Sequence, residues 1–148
     1  MVRKTSLKTL SKIPSYCQIE RNKEFENVHI KDAPDIFNLL SNQTDFDREL
    51  LSIVHLDNKN KVLDVSIESS GSRNMTLAPP ENVFRGALYR NSSSIIVVHN
   101  HPSGDPKPSE DDMRMCDTFT NAGDVLNIKV LDCIVIGKNG YQSIKHGL

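Results

Sequence analysis

The chain has 148 residues, of which 37% are hydrophobic, and this is enough for one domain with a single core. Aromatic residues make up only 5% and tryptophan is absent, so we expect a mainly aliphatic core. The formal net charge of −1 argues against a basic nucleic-acid-binding face that covers the whole domain.

Basic residues are concentrated at the start of the chain. Four of them precede the first acid, Glu20: Arg3, Lys4, Lys8 and Lys12. We expect residues 1–12 to form a solvated tail, with a contact to nucleic acid or an acidic partner as the alternative. No secretory signal follows, and no apolar run is long enough to cross a bilayer, so we expect a cytoplasmic protein with no membrane attachment.

The cysteine pattern is not typical of a disulfide framework. Three cysteines are present, Cys17, Cys116 and Cys133, and no two of them have the Cys-x-x-Cys spacing. An odd number without that spacing is typical of reduced thiols in a cytoplasmic protein. We therefore expect all three to be reduced.

The first half of the chain predicts a strand, a helix and a hairpin. Residues 15–19 alternate as a short strand does, and residues 33–40 carry apolar side chains at helical spacing after the N-cap residue Asp32. Two apolar runs, 49–56 and 62–67, flank a polar turn cluster and predict a β-hairpin.

The middle of the chain predicts a strand, a helix and a second strand. Residues 75–77 fit a short strand, residues 81–90 a helix, and the β-branched run 95–98 a buried strand. We expect one stripe of the helix to be buried, formed by Val83, Phe84, Ala87 and Leu88.

The last third predicts a helix and a hairpin. Residues 109–122 fit a helix that stops at Gly123. The largely apolar residues 128–136 are joined to a closing strand, 141–144, through an Asn-Gly pair that predicts a type I′ turn. Strands and helices therefore interleave, which predicts an α/β fold with a mixed β-sheet flanked by helices.

Two histidines follow the predicted strand 95–98 directly. His99 and His101 are two residues apart, so on a strand they point to the same face, about 6.6 Å apart, and can converge on one metal ion. A catalytic zinc usually has a third protein ligand. Four acids are local candidates: Asp105, Glu110, Asp111 and Asp112. If Ser109 is the N-cap of the next helix, Asp112 faces back toward the histidines, although spacing alone leaves the choice open.

Each of these residues also has a structural interpretation. Ser109 and Asp112 fit a capping box, in which both side chains bond only to backbone amides. Glu49, at the start of an apolar strand, fits a general base whose pKa is raised by partial burial, and it also fits a solvated strand-end charge. Glu81 is a competitor for the base, but it reads more simply as an acid that stabilises a helix N-terminus. Glu68 fits a solvated strand end.

The stretch from His99 to Asp112, His-Asn-His-Pro-Ser-Gly-Asp-Pro-Lys-Pro-Ser-Glu-Asp-Asp, resembles the signature of the RadC family. That family is a branch of the JAB/MPN group of zinc metalloproteins, whose JAMM motif is Glu…His-x-His-x7-Ser-x2-Asp. Further segments resemble the family outside the motif, so the resemblance covers a single domain over residues 13–148. These segments are 13–16, 47–49, 70–74, 80–84, 128–137 and 141–143.

The resemblance implies a JAB/MPN fold, related to the cytidine deaminase fold, and a zinc-dependent hydrolase. In that family pattern, His99, His101 and Asp112 bind one zinc ion. Glu49 is the general base for the attacking water, and Ser109 helps to hold the polarised oxygen of the substrate. The implied reaction is hydrolysis of a peptide or isopeptide bond in a protein or peptide substrate.

The chain departs from the family pattern in three places. The closing strand has Cys133 where the family usually has a histidine, which predicts either a thiolate ligand or a small buried residue. Residues 80–82 read Pro-Glu-Asn instead of Pro-Arg-Glu. Longer relatives carry a helix-hairpin-helix segment associated with DNA, for which we expect no room here. A DNA-repair or mobile-element protein that binds nucleic acid remains one alternative, and a non-catalytic zinc-binding module is another.

Overall fold

A computed structural model describes residues 22–70 and 78–148 of the chain. In these ranges the strands are β1 (Leu50–Leu56), β2 (Val62–Ser70), β3 (Ser94–Asn100), β4 (Lys129–Gly137) and β5 (Gly140–Ser143). The α-helices are α1 (Ala33–Leu40), α2 (Pro80–Tyr89) and α3 (Glu110–Leu126). The predicted tail 1–12 and the predicted strands 15–19 and 75–77 lie outside the described residues. None of the described helices has the length and hydropathy needed to cross a membrane.

The strands form one mixed sheet in the order β2-β1-β3-β4-β5. β3 and β4 are parallel, and the other neighbouring pairs are antiparallel. The parallel pair needs a crossover, which α3 supplies, whereas short turns are enough for the hairpins at either end. The predicted α/β fold with a mixed sheet flanked by helices is confirmed.

Both faces of the sheet are covered, so the central strands β1 and β3 are buried along their whole length. Along β3, Ile95 and Val97 belong to the core that α2 and α3 cover, whereas Ile96 and Val98 belong to the core beside α1. This alternation places the next residue of the first set, His99, on the face covered by α2 and α3. The end of β3 is therefore directed toward the start of α3.

Two sequence predictions about side chains in this part of the fold are wrong. Leu88 was expected in the buried stripe of α2 but is 58% exposed, because Val83, Phe84 and Ala87 already fill the contact with the sheet. The hairpin between β4 and β5 is present, but its turn is not type I′. That turn needs a positive φ at both central residues. Because Gly137 pairs with Gly140, the central residues are Lys138 and Asn139, and neither has a positive φ.

The predicted stop of α3 at Gly123 is also wrong. The helix continues to Leu126 and ends at Asn127, which takes the left-handed conformation with φ of 56°. Gly123 instead allows close packing: a Cβ atom there would lie 2.4 Å from the carbonyl oxygen of Ile128. The glycine lets the last turn of α3 pass directly over the start of β4.

The expectation of reduced cysteines is wrong for two of the three. Cys116 on α3 and Cys133 on β4 form a disulfide, with their Cα atoms 5.9 Å apart. Both residues are buried in the core between the sheet and the helices. They are 17 positions apart in sequence, and only the packing of α3 on β4 brings them into the range that a disulfide needs. Because its sulfur is bonded to Cys116, Cys133 supplies no thiolate ligand, and it is buried as expected.

Candidate metal centre

The candidate site lies where the chain leaves β3 and enters α3. His99 is near the end of the strand, and His101 follows just beyond it. The backbone N–H of His101 donates to the carbonyl oxygen of Ile136 at 2.8 Å, which holds the loop against β4. Gly104, with φ of 87°, then turns the loop and donates its N–H back to the His101 carbonyl oxygen at 3.0 Å. The chain returns so that Asp112, in the first turn of α3, faces both histidines.

The three side chains converge on one point. His99 Nε2 lies 3.2 Å from His101 Nε2 and 3.0 Å from Asp112 Oδ1, and His101 Nε2 lies 3.3 Å from Asp112 Oδ2. Ligands bonded tetrahedrally to zinc at about 2.0–2.1 Å are about 3.3–3.4 Å from one another. The nitrogen and oxygen atoms of this cluster therefore have nearly the spacing that a single zinc ion requires.

The protonation of His101 favours a cation at this point. Its Nδ1 lies 2.9 Å from the carbonyl oxygen of Asp105, which can only accept, so Nδ1 carries the hydrogen. In the neutral ring Nε2 then presents a lone pair to the cluster, beside His99 Nε2 and the carboxylate of Asp112. Nitrogen and oxygen atoms whose lone pairs face one another in this way repel unless a proton or a metal ion lies between them. The hydrogen bond with Asp112 is the main reason that the pKa of His101 is raised.

Asp112 is both a helix cap and a member of the cluster. Its backbone N–H donates to Ser109 Oγ at 3.1 Å, and its Oδ2 accepts from the Ser109 N–H at 2.7 Å, which is the predicted capping box. Its Oδ1 faces His99. Burial would raise the pKa of Asp112, but the hydrogen bonds from His101 and His99 outweigh it and hold the pKa well below its usual range. The carboxylate is therefore ionised in the form that binds a metal.

The other three candidate acids are used elsewhere. Asp105 accepts from the Lys107 N–H at 3.0 Å and so bonds its own turn. Glu110 and Asp111 both pair with Arg114 on the exposed face of α3. The structure therefore resolves the choice that spacing left open, since only Asp112 joins the histidines.

His99 is buried without an ordinary structural role for its ring. Its side chain is 1% exposed, and its Nδ1 has no hydrogen-bond partner among the described residues. Leaving a buried polar group unsatisfied costs about 1–3 kcal/mol, and structural histidines in a core normally avoid that cost. The polar contacts of the ring among the described residues are made through Nε2, which points into the cluster. This arrangement fits a metal ligand.

Glu49 approaches the same cluster from β1. Leu51 is paired with His99 across the two strands, and Glu49 lies two residues before Leu51, just outside that pairing. The residue is half-buried. Burial raises the pKa of Glu49, and the nearby His99 and His101 partly oppose that effect. Glu49 thus has the raised pKa that was expected of a base, and its role as the base stays a prediction.

The remaining predicted residues lie outside the cluster. Ser109 is exposed at the start of α3, and because its Oγ accepts in the capping box, its hydroxyl hydrogen is not used there. Glu81 is exposed in the first turn of α2, and Glu68 accepts from Ser66 Oγ at 2.6 Å.

Sequence reasoning did not single out Asn100, which is fully buried and lies between the two histidines in sequence. Its position between two candidate ligands was the only signal that could have indicated it.

Comparison with known proteins places these residues in a family. The chain matches the profile of the RadC-like JAB domain over residues 30–148. A UPF0758 protein of Caldanaerobacter subterraneus is 40% identical over 121 residues, which are 81% of this chain and 52% of the relative. Relatives with the same name from Desulfitobacterium hafniense and Methanococcoides burtonii are 43% and 38% identical, each over 78% of this chain, and over 52% and 51% of their own length. The chain thus spans about half the length of the curated relatives it matches.

Proposed function

Because the chain belongs to the RadC-like JAB domain family, we propose that it is a zinc-dependent hydrolase that cleaves a peptide or isopeptide bond. Family membership confirms the resemblance carried by the histidine motif and agrees with the JAB/MPN fold. The observation that carries the proposal is the convergence of His99, His101 and Asp112 on one point, with the half-buried Glu49 beside it.

The donor set favours zinc among the common divalent metals. Two imidazole nitrogens and one carboxylate suit zinc, whereas magnesium and calcium prefer oxygen ligands. Three protein ligands leave one tetrahedral position open, as catalytic zinc sites do. A zinc ion bound there supplies a Lewis acid that polarises a carbonyl group and lowers the pKa of water.

The protein residues would move the protons of the reaction. Glu49 would accept a proton from the attacking water on its carboxylate and return it to the leaving nitrogen, so that an amide and water become an acid and an amine. Partial burial supports this role, because a carboxylate with a raised pKa is a better base near neutral pH. Ser109 would donate its hydroxyl hydrogen to the polarised oxygen of the substrate.

Replacing Glu49 by glutamine tests this proposal. The Glu49→Gln protein should bind one zinc ion per chain but lose turnover by at least a hundredfold, because the ligands remain and the base is removed. His99→Ala should lose the zinc itself. Zinc content is measured by mass spectrometry, and hydrolysis with a quenched-fluorescence peptide library.

Glu81→Gln is the matched control, since it removes an exposed glutamate outside the cluster and should leave both properties unchanged. Full hydrolysis by the Glu49→Gln protein would contradict the role of Glu49. An unchanged zinc content in the His99→Ala protein would contradict the ligand set.

A further inference from the structure

Asn100 is a buried amide at the end of β3, between the two candidate metal ligands His99 and His101. It is 0% exposed. Its side chain does not bond to its own strand. Instead, Oδ1 accepts from the backbone N–H of Leu50 at 2.6 Å, and Nδ2 donates to the backbone carbonyl oxygen of Arg48 at 3.0 Å.

These two hydrogen bonds bracket Glu49. The carbonyl group of Arg48 belongs to the peptide unit before Glu49, and the N–H of Leu50 belongs to the peptide unit after it. One side chain therefore fixes both peptide planes that meet at the Glu49 Cα atom, and with them the direction of its side chain. We propose that Asn100 is a positioning residue, which fixes Glu49 in place relative to the histidine-bearing strand.

Strand pairing does not provide this restraint. The pairing of β1 with β3 begins at Leu51, and its pairing with β2 begins at Leu50, so Glu49 precedes the first paired residue on both sides. The side chain of Arg48 is more than half exposed and pairs only with the neighbouring Asp47 among the described residues. At this end of β1, where strand pairing has not yet begun, Asn100 supplies hydrogen bonds to the backbone on both sides of Glu49.

The side chain must be an amide to make both bonds. Asparagine offers one acceptor and one donor on the same short side chain, which matches an N–H and a carbonyl group on one strand. An aspartate would keep the acceptor but place a second oxygen against the Arg48 carbonyl, and a leucine would leave both backbone groups unsatisfied. Because Asn100 is covalently joined to His99 and His101, the base and two ligands would be held by one three-residue segment.

This inference rests on the proposed function, since it takes Glu49 as the base. Its first test is therefore independent of activity. In the Asn100→Leu protein, hydrogen exchange of the Leu50 amide should become at least tenfold faster relative to the Ile53 amide in the middle of β1. Gln43→Leu is the matched control, because Gln43 is another buried amide that bonds to β1, through Ser52 Oγ at 2.9 Å, without touching the peptides beside Glu49.

The second test is a double-mutant cycle on zinc affinity, measured by competition with a chelator. Glu49→Gln should weaken zinc binding several-fold in the wild-type background, because it removes a negative charge near the histidines. In the Asn100→Leu background the same change should have less than a twofold effect. With any peptide whose hydrolysis requires Glu49, Asn100→Leu should also lower kcat at least tenfold with little change in KM.

Asn100→Asp is a second variant in case the leucine protein does not fold. It should keep the slow exchange of Leu50 but lose the coupling to Glu49, because only the acceptor remains. Unchanged Leu50 exchange in the Asn100→Leu protein, or a Glu49→Gln effect on zinc affinity as large as in the wild type, would overturn the proposal. If Glu49→Gln instead hydrolyses peptides at the wild-type rate, the proposed role of Glu49 as the base fails, while the exchange data still decide whether Asn100 holds this segment.

Discussion

His55 is a buried histidine whose lowered pKa makes the stability of the folded protein depend on pH. The residue is fully buried on β1, with Nε2 at 2.8 Å from Ser66 Oγ and Nδ1 at 3.2 Å from Ser92 Oγ. Ser66 gives its one hydroxyl hydrogen to Glu68, so His55 must donate from Nε2 to Ser66 Oγ. In the neutral ring, Nδ1 then accepts from Ser92. Burial lowers the pKa of His55 to about 4, and the Arg90 guanidinium acts in the same direction.

This lowered pKa predicts acid lability. The unfolded chain binds a proton at His55 near its ordinary pKa of 6.5, whereas the folded chain does so only near 4. Between these values the unfolded state binds more protons, so stability is present above the unfolded pKa and is lost as the pH falls. We expect His55 to remove about 2 kcal/mol of unfolding free energy between about pH 7 and pH 5.

Urea unfolding of the zinc-free protein at the two pH values measures this loss. In the His55→Gln protein, which keeps a hydrogen-bonding side chain but does not titrate, the loss should be smaller by about that amount. An equal loss in both proteins would show that other groups cause it.

At the residue scale, sequence reasoning found the side chains whose partners are near in the chain. His99, His101 and Asp112 lie within fourteen residues. The spacing of the two histidines pointed to a shared site, and the family resemblance selected Asp112 among the four nearby acids. Asn100 was missed because the backbone groups that it bonds, at Leu50 and Arg48, are 50 and 52 positions away. His55 was missed because its bonds to Ser66 and Ser92 depend on how β1 is packed and follow no local pattern. A buried amide or imidazole is recognised only when the tertiary contacts that satisfy it are known.

At the scale of elements, Gly123 is a position in α3 where a side chain would contact the backbone of the next strand. An alanine there would place its Cβ atom 2.4 Å from the Ile128 carbonyl oxygen, and neither backbone can move without separating α3 from β4. Gly123→Ala should therefore destabilise the protein by about 2 kcal/mol, or about 5 °C in Tm, although alanine is the better helix former. Calorimetry measures this change.

Asn121→Ala, an exposed substitution on the same helix, serves as the control and should be neutral or slightly stabilising. A Gly123→Ala protein as stable as this control would show that the contact with Ile128 relaxes easily.

Hydrophobic periodicity predicted the elements better than it predicted their ends. It located α1 to α3 from their apolar stripes and β1 to β4 from their apolar runs. The turn signal of Asn139 and Gly140 located β5, which has no buried residue. The sequence pattern placed the end of α3 at Gly123 because a glycine after a helical run is typical of a helix end. The sequence does not distinguish such a glycine from one that lets the helix pack closely on a strand. Leu88 was assigned to the core because the pattern does not show where the contact with the sheet ends.

At the scale of the whole molecule, the disulfide between Cys116 and Cys133 ties the crossover helix to the sheet. It closes a loop of 17 residues, so the loop-entropy model predicts that reduction lowers the unfolding free energy by about 3 kcal/mol. Urea unfolding with and without a phosphine reductant measures the difference. A Cys116→Ala/Cys133→Ala protein should not respond to the reductant, which separates this effect from any due to Cys17. Equal responses of the two proteins would contradict the assignment.

The sequence predicted the fold class and both hairpins. It did not predict the pairings of β3 with β1 and with β4, which join the two hairpins into one sheet. β1 lies beside β3 only because α2 carries the chain back across the sheet, and the disulfide follows from the packing of α3 on β4. No local sequence pattern around Cys116 or Cys133 indicates that α3 packs on β4. Long-range pairings are set by the whole core.

The position of the candidate ligands along the chain has a consequence for folding. If His99, His101 and Asp112 hold zinc as proposed, the metal closes a loop of only fourteen residues, and the entropy lost in closing it is small. Glu49 reaches the same place only after a contact across about 50 residues has formed. On the proposed function, a partly folded chain would therefore bind its metal early and stay inactive, because Glu49 would reach the site only when β1 docks on β3.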